Sequence, residues 1–330
     1  MINPHTKLSA KVFADDVEKM ATRDGFGAGL VEAGTMDERV VVLCADLKES
    51  TRAEVFEKKF PERFIEMGVA EQNMATVAAG MALAGKVPFI ASYAAFSPGR
   101  NYEQIRTTIA LNGVNVKIAG CHAGVSVGPD GATHQMLEDI GMMRMLPGMV
   151  VLNPGDAEEG RKAVVAAASH EGPVYLRFGR SATPVFTTVE TPFEIGKALT
   201  LWDSEVGEPQ VAILSTGSLS HSALAAARAL AGEGVEALVL HFATVKPLDE
   251  EALLAAARRA GRVLTIEEHQ AAGGFGSAVA EYLGERHPVP IKRLGIDDQF
   301  GQSGTPEELL AHYGLDASRV AAMARALVLR

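Results

Sequence analysis

The chain has 330 residues, 47% of them hydrophobic and 22% charged, a globular composition with enough length for two domains of ordinary size. Its formal net charge of -10 argues against nucleic acid or an anionic membrane as a partner. Cys44 and Cys121 predict no disulfide framework and favour a reducing compartment, so we expect a cytoplasmic protein. Lys86 and Pro88 break the longest apolar run, so we expect no membrane span.

The first half of the chain alternates between apolar runs and stretches of helical periodicity. Residues 1–20 are mixed and charged and predict an N-terminal arm or a leading helix. The predicted strands are 40–45, 63–67, 87–91, 116–120, 149–152 and 173–178, and the predicted helices are 23–33, 54–60, 70–84, 102–111 (capped by Asn101), 136–146 and 157–170. This alternation predicts a parallel, doubly wound sheet with its functional site along the carboxyl ends of the strands.

A proline-containing segment without periodicity separates this unit from a second one. The second unit has predicted strands at 211–215, 237–241, 262–266 and 291–294, and predicted helices at 220–231, 250–260, 275–286 and 316–329. We therefore expect an α/β protein with two doubly wound domains and mostly parallel sheets. The expected domains are 1–190 and 205–330, with a linker at 191–204.

Glu71 stands at the start of a long uncharged stretch, because no charged residue occurs at 72–85. A carboxylate in the first turn of a helix is favoured by the helix dipole. In surroundings this apolar, we expect it to be at least partly buried and to need a specific partner. Gly80 and Gly85 should let another element approach the helix closely.

Other candidate site residues follow predicted strands. Tyr93 and Phe96, three residues apart near a strand end, are either core residues or the walls of a pocket for a flat heteroaromatic ring. The remaining candidates are Asp46 and Ser50 after the strand at 40–45, His122, Asp130 and His134 in the glycine-rich string CHAGVSVGPDGATHQ, and Arg180 after the strand at 173–178. Zinc binding by the two histidines is disfavoured, because they lack helical i, i+4 spacing.

The second unit carries two polar strings. STGS at 215–218 is either a phosphate loop or an ordinary strand–helix turn, and the absence of a P-loop lysine favours the turn. Glu267, Glu268 and His269 have the chemistry of metal ligands. A charged strand end that faces a neighbouring subunit is the favoured interpretation.

Three strings resemble a known family. GVAEQNM at 68–74 and the strand that ends in Tyr93-Ala-Ala-Phe96 resemble the pyrimidine-binding domain of thiamine-diphosphate enzymes of the transketolase family. GPDGATHQ at 128–135 is similar to GEDGPTHQ of transketolases and to GADGQTHQ of deoxyxylulose-phosphate synthases. The second unit resembles the C-terminal domain of transketolases, so the resemblance extends from about residue 22 to residue 329.

The resemblance implies a role for each candidate. Glu71 would hydrogen-bond N1′ of the cofactor's aminopyrimidine and favour its imino tautomer. Tyr93 and Phe96 would line the pyrimidine pocket with Asp46 near it, whereas the third aromatic of the family would fall on Gly99. The substrate-binding positions are Arg23, Ser50 and Arg180 for the sugar phosphate and His122, Asp130 and His134 for the sugar hydroxyls and carbonyl, with Glu71 and His134 counted as catalytic.

One part of the family site is missing. The family binds Mg²⁺ and the diphosphate with a GDG motif followed by Asn, but here Gly-Asp occurs only at 155–156 and no Asn follows Asn153. The resemblance therefore implies a partner chain that carries the GDG…N site and binds Mg²⁺, so that thiamine diphosphate is shared and this chain has no metal ligand. A homodimeric contact would make the assembly α2β2.

We therefore expect the C-terminal subunit of a split transketolase, which transfers a two-carbon ketol unit between sugar phosphates. Three alternatives remain at this stage. They are a split 1-deoxy-D-xylulose-5-phosphate synthase subunit, the β-type subunit of a 2-oxoacid dehydrogenase, and a non-catalytic assembly subunit. The retained Glu71 and the arginine and histidine set count against the last, because a scaffold has no use for them.

Overall fold

The structure is a computed structural model that describes residues 1–329. Its strands are β1 (Lys19–Ala21), β2 (Val40–Cys44), β3 (Phe64–Glu66), β4 (Val87–Tyr93), β5 (Lys117–Cys121), β6 (Val150–Leu152), β7 (Val174–Arg177), β8 (Ala182–Pro184), β9 (Leu199–Trp202), β10 (Val211–Ser215), β11 (Ala237–His241), β12 (Thr244–Lys246), β13 (Val263–Gln270) and β14 (Ile291–Ile296). Its α-helices are α1 (Thr22–Met36), α2 (Lys48–Thr51), α3 (Glu54–Lys59), α4 (Glu71–Leu83), α5 (Tyr102–Gln104), α6 (Asp139–Arg144), α7 (Ala157–Ser169), α8 (Leu219–Gly232), α9 (Glu250–Ala260), α10 (Phe275–Arg286), α11 (Pro306–His312) and α12 (Ala317–Val328).

The first sheet has the strand order β12-β6-β7-β5-β4-β2-β3 and is parallel except at β12. Helices cover both of its faces, so its strands are buried on both sides, as continuous apolar runs predict. In β2, Val42 packs in the cluster that contains Phe26 of α1, and Leu43 packs in the cluster that contains Met74 of α4. The side chains of one strand thus serve two hydrophobic layers.

The second sheet has the order β14-β13-β10-β11-β9 and is parallel except at β9. The predicted fold class, two doubly wound α/β units with mostly parallel sheets, is confirmed. β9 lies inside the stretch 191–204 and pairs with β11, so this stretch contains regular structure. Among residues 1–329, none of the helices has both the length and the apolar character needed to cross a lipid bilayer.

The two units interlock through backbone pairing. β12, which follows β11 in the chain, pairs with β6 at the edge of the first sheet. The N-terminal segment in turn contacts the second sheet, where the Asn3 amide donates to the Leu201 carbonyl over 3.0 Å. Its only helical turn is the short 3-10 turn Pro4–Thr6. The segment is therefore an arm packed on the second unit and not a leading helix.

Two predicted helices differ from the structure. Residues 102–111 form a short α-helix, α5, followed by a wider π-helical segment, Ile105–Ala110. The Asn101 side chain does not cap this helix, because it donates its hydrogen bonds to other groups. The helix at 136–146 shrinks to α6. Met136 is held in a backbone bridge to Ala123, and the Leu137 carbonyl accepts from the Gln270 amide over 2.9 Å.

Within residues 1–329, no other element makes the close approach expected at Gly80 and Gly85. Apart from the neighbouring residues in sequence, no atom in the described part of the chain lies within 4 Å of a Cβ built at either residue. Gly85 is instead required by its backbone, because its φ of 86° lies in the left-handed region that favours glycine.

Candidate functional site

Glu71 is the first residue of α4 and is only 1% exposed. Its Oε1 accepts a hydrogen bond from the Ser92 hydroxyl of β4 over 3.3 Å. Its Oε2 accepts from Nη1 of Arg100 over 2.6 Å. The buried carboxylate therefore has the specific partner that its apolar flanks require.

The loop after β4 is fastened to the same helix end. The buried Asn101 side chain donates to the backbone carbonyl of Glu71 over 3.0 Å and to the Ser97 hydroxyl over 3.2 Å. The Arg100 guanidinium lies over the ring of Phe96 with Cζ 4.6 Å from its centroid. Arg100 and Ser92 are not among the predicted site residues, although Arg100 follows the aromatic pair in the turn SPGRN.

Four of the predicted site residues form one aromatic cluster at the carboxyl ends of β4 and β5. Tyr93 stacks on Phe96 with centroids 5.8 Å apart and on the His122 ring at 3.8 Å. His134 meets Tyr93 and Phe96 edge-on, at 6.0 and 5.5 Å. The wall formed by Tyr93 and Phe96 lies beside Glu71, because Arg100 contacts both that carboxylate and Phe96. This arrangement suits a flat ring that also needs a hydrogen bond.

Arg23 joins this cluster from the first turn of α1. Its Nη1 donates to the Ser50 carbonyl over 2.7 Å and lies 3.2 Å from Nε2 of His122. Burial, followed by the positive charge of Arg52, lowers the pKa of Arg23. Ser50 thus contributes its backbone carbonyl to this contact.

His122 is buried, with 2% of its surface exposed, and has a positive φ of 56°. Burial and then the charges of Arg23 and Arg180 lower its pKa to about 3, so the ring is neutral at ordinary pH. Its Nδ1 and the Nε of Arg23 are buried without a hydrogen-bond partner within residues 1–329. Such unsatisfied groups are unusual in a folded protein and mark a place where a ligand oxygen would be stabilising.

The glycine-rich loop positions the remaining polar residues. Nη1 of Arg180 donates to the Val127 carbonyl over 2.8 Å and lies 3.5 Å from the carboxylate of Asp130. Nδ1 of His134 lies 2.9 Å from the Thr133 hydroxyl. Arg180 and Asp130 are each about one-third exposed, so both charges are available to a ligand.

Asp46 is the outlying member of the predicted set. It is exposed, its backbone is left-handed with φ 59°, and its amide donates to Oε1 of Glu66 over 2.8 Å. The Asp46 carboxylate makes no hydrogen bond within residues 1–329. Its place beside the pyrimidine pocket therefore stays a prediction.

The interpretation of Glu267, Glu268 and His269 as a charged strand end facing another subunit is wrong. All three are buried, Glu268 and His269 against the first unit of this chain and Glu267 against α10 of the second unit. Glu268 Oε1 accepts from the Ser126 amide over 2.5 Å, and His269 Nε2 accepts from the Gly141 amide over 3.3 Å. Glu267 accepts from two amides at the start of α10, both at 2.7 Å. Burial raises the pKa of each glutamate.

The string STGS at 215–218 forms a strand–helix turn, and Asn153 of the first unit packs against it. The Gly217 amide donates to the Asn153 carbonyl over 3.1 Å, and a Cβ at Gly217 would lie 2.7 Å from the Asn153 side chain. The part of the chain covered by the structure contains no cluster of three or more His, Cys, Asp or Glu side chains arranged to hold a metal ion.

Comparison with known families matches both units. Residues 18–185 match the pyrimidine-binding domain of transketolase, and residues 201–320 match the transketolase C-terminal domain. A solved split-gene transketolase, described as an inactive β4 tetramer, is similar with a TM-score of 0.87 and 45% identity, over 94% of this chain and 99% of that one.

Curated relatives agree. A putative transketolase C-terminal section of Methanocaldococcus jannaschii is 43% identical, over 91% of this chain and 93% of its own length. The 6-deoxy-6-sulfo-D-fructose transketolase subunit SqwH of Clostridium sp. is 41% identical, over 93% and 94%. Human transketolase is 36% identical over 94% of this chain, but the chain spans only 49% of that protein.

These matches and the site geometry define the class as an α/β subunit with a thiamine-diphosphate pyrimidine-binding domain. The chain belongs to the transketolase family, whose members are thiamine-diphosphate-dependent transferases. In extent it corresponds to the C-terminal sections and subunits that occur as separate chains among its relatives.

Proposed function

We propose that the chain is the C-terminal subunit of a split transketolase, which transfers a two-carbon ketol unit between sugar phosphates and is active only with a diphosphate-binding N-terminal subunit. The observation that carries this proposal is the buried Glu71 carboxylate beside the aromatic pair Tyr93 and Phe96. Thiamine diphosphate, when bound, supplies the nucleophilic carbon and the electron sink that ketol transfer needs.

Glu71 would hold the proton that the aminopyrimidine exchanges. Its surroundings suit this task, because water is excluded from the carboxylate and its remaining contacts orient it. Tyr93 and Phe96 would flank the pyrimidine, with Asp46 near that end of the pocket. His134, edge-on to both rings, would act beside them on the sugar carbonyl.

The substrate would lie along the arginine and histidine side of the site. Arg23 and Arg180 supply two positive charges near the buried His122, and guanidinium groups bind phosphate with paired hydrogen bonds. His122 and Asp130 would contact sugar hydroxyls, and Ser50 would complete the phosphate end. Phosphorylated sugars, including pentose phosphates, are therefore the proposed substrate class.

The partner would carry the GDG…N motif and hold Mg²⁺ with the diphosphate, so that the cofactor lies between two polypeptides. We propose an α2β2 assembly, with domains at 1–190 and 205–330 joined by residues 191–204. Support for the need for a partner comes from the similar split-gene transketolase, whose β4 tetramer is described as inactive.

The test is reconstitution. The purified chain alone should show no ketol transfer and only weak thiamine diphosphate binding, and both should appear when the diphosphate-binding subunit and Mg²⁺ are added. A complex with Glu71→Gln in this chain is the matched control for contaminating activity. Ordinary turnover by the isolated chain would overturn the split-subunit proposal.

A further inference from the structure

Of the two side chains that hydrogen-bond the Glu71 carboxylate within residues 1–329, Arg100 is the one that reaches solvent. On one side of that carboxylate lies Ser92, which is fully buried and closes Oε1. On the other lies the guanidinium of Arg100, 2.6 Å from Oε2, whose side chain is 45% exposed. A ligand that takes the place of Arg100 would therefore reach Oε2 while the buried Ser92 stays on Oε1.

We propose that Arg100 is a displaceable partner of Glu71, which neutralises the carboxylate in the cofactor-free subunit and must release it before a heteroaromatic ring nitrogen can bind there. This inference rests on the proposed function for the identity of the entering ring. Arg100 is then a positioning residue of the cofactor site.

The chemistry of both groups fits such an exchange. A buried carboxylate without a partner is strongly unfavourable, so Glu71 needs Arg100 until another hydrogen-bonding group arrives. The guanidinium is half in solvent and already lies on the face of Phe96, so it can leave the carboxylate without being left unpaired in the interior. Binding of the ring must then overcome the ion pair, which lowers its apparent affinity.

A double-mutant cycle in the isolated chain tests the ion pair without any cofactor. Arg100→Met should raise the unfolding equilibrium constant about tenfold in the wild-type background but no more than about twofold in Glu71→Gln, because the neutral amide needs no counter-charge. Arg106→Met is the matched control, since Arg106 is exposed and has no hydrogen bond to Glu71 within residues 1–329. Equal effects of Arg100→Met in both backgrounds would overturn the pairing.

Cofactor affinity tests the displacement itself. In the reconstituted complex, titrated with thiamine diphosphate and Mg²⁺ in a calorimeter, Arg100→Met should bind the cofactor about tenfold more tightly than wild type, whereas Arg106→Met should not change binding. Unchanged or weaker binding by Arg100→Met would overturn the inference while the proposed function stands. Loss of thiamine diphosphate binding in the wild-type complex would instead refute the proposed function and leave the stability cycle to decide the ion pair.

Discussion

Arg23 fixes the tautomer of the buried, neutral His122 ring, because a guanidinium can only donate and Nε2 of His122, 3.2 Å from Nη1, must therefore accept. The proton of the ring then lies on Nδ1, which has no partner within residues 1–329. Arg23 is itself fixed by the Ser50 carbonyl. One arginine thus sets the tautomer of a buried histidine in the substrate region.

The lowered pKa of His122 makes the stability of the folded chain depend on pH. The pKa of His122 in the folded chain, about 3, lies below the ordinary value of about 6.5, so folding favours the neutral ring. Its contribution to stability is present above pH 6.5 and is lost as the pH falls from 6.5 towards 3. Arg23→Met should raise the pKa of His122 by removing one neighbouring charge, as measured by NMR titration of the ring signals.

The assignment of those signals comes from their disappearance in His122→Asn. In the same titration, Arg259→Met serves as a control, because Arg259 is paired with Asp203 in the second unit. If His122 titrates identically with and without Arg23, the arginine does not set its protonation state.

Glu71→Gln should lower turnover of the reconstituted complex by about a hundredfold or more, which is the usual loss when a positioned acid–base group is removed. Folding and assembly should persist, because Gln keeps the shape of Glu and can still accept from the Ser92 hydroxyl. Steady-state kinetics measures the loss, and circular dichroism and size-exclusion chromatography check the complex. Activity within a factor of two of wild type would refute the role of Glu71.

Arg180→Ala should raise the Michaelis constant for a phosphorylated ketose while changing that for hydroxypyruvate much less. One charge-assisted hydrogen bond to phosphate is worth about 1.5–3 kcal/mol, or roughly 10- to 150-fold in binding. Arg180 also donates to the Val127 carbonyl. If this structural contact is its main role, Arg180→Ala will cause equal losses of activity with the phosphorylated ketose and with hydroxypyruvate. No loss on either donor would remove Arg180 from the phosphate site.

The apolar runs were enough to predict the parallel strands of both sheets, because a strand buried on two faces needs apolar residues at every position; the antiparallel edge strands β9 and β12 were not predicted. The burial of Glu71 followed in the same way from its uncharged flanks. The partner of Glu71 was not predictable from that pattern. Arg100 lies 29 positions away, and only the return of the loop after β4 to the head of α4 brings the two charges together.

The buried acids of β13 show the same limit. A run such as Glu267-Glu268-His269 is usually exposed, and periodicity carries no signal that the chain will cover it with its own first unit. Backbone amides from that unit and from α10 satisfy the carboxylates. The contact depends on how the units dock, which is a tertiary property that the local sequence does not encode.

Gly25 lets α1 lie directly on α7 and so positions Arg23. A Cβ at Gly25 would lie 1.9 Å from the backbone oxygen of Ala157, and backbone cannot move aside cheaply. Gly25→Ala should therefore lower the free energy of unfolding by about 2–3 kcal/mol, in the range of overpacked cores. Urea unfolding of the isolated chain measures this loss.

Gly80→Ala is the matched control on α4, where no atom of residues 1–329 outside the neighbouring turns of the same helix lies within 4 Å of the added methyl group. Because glycine is a poor helix former, this substitution should stabilise the chain by about 0.5–1 kcal/mol. The two alanines thus have opposite expected signs although both replace helical glycines. If Gly25→Ala were as well tolerated as Gly80→Ala, the α1–α7 contact would be looser than the structure describes, and packing of α1 on α7 would not be what positions Arg23.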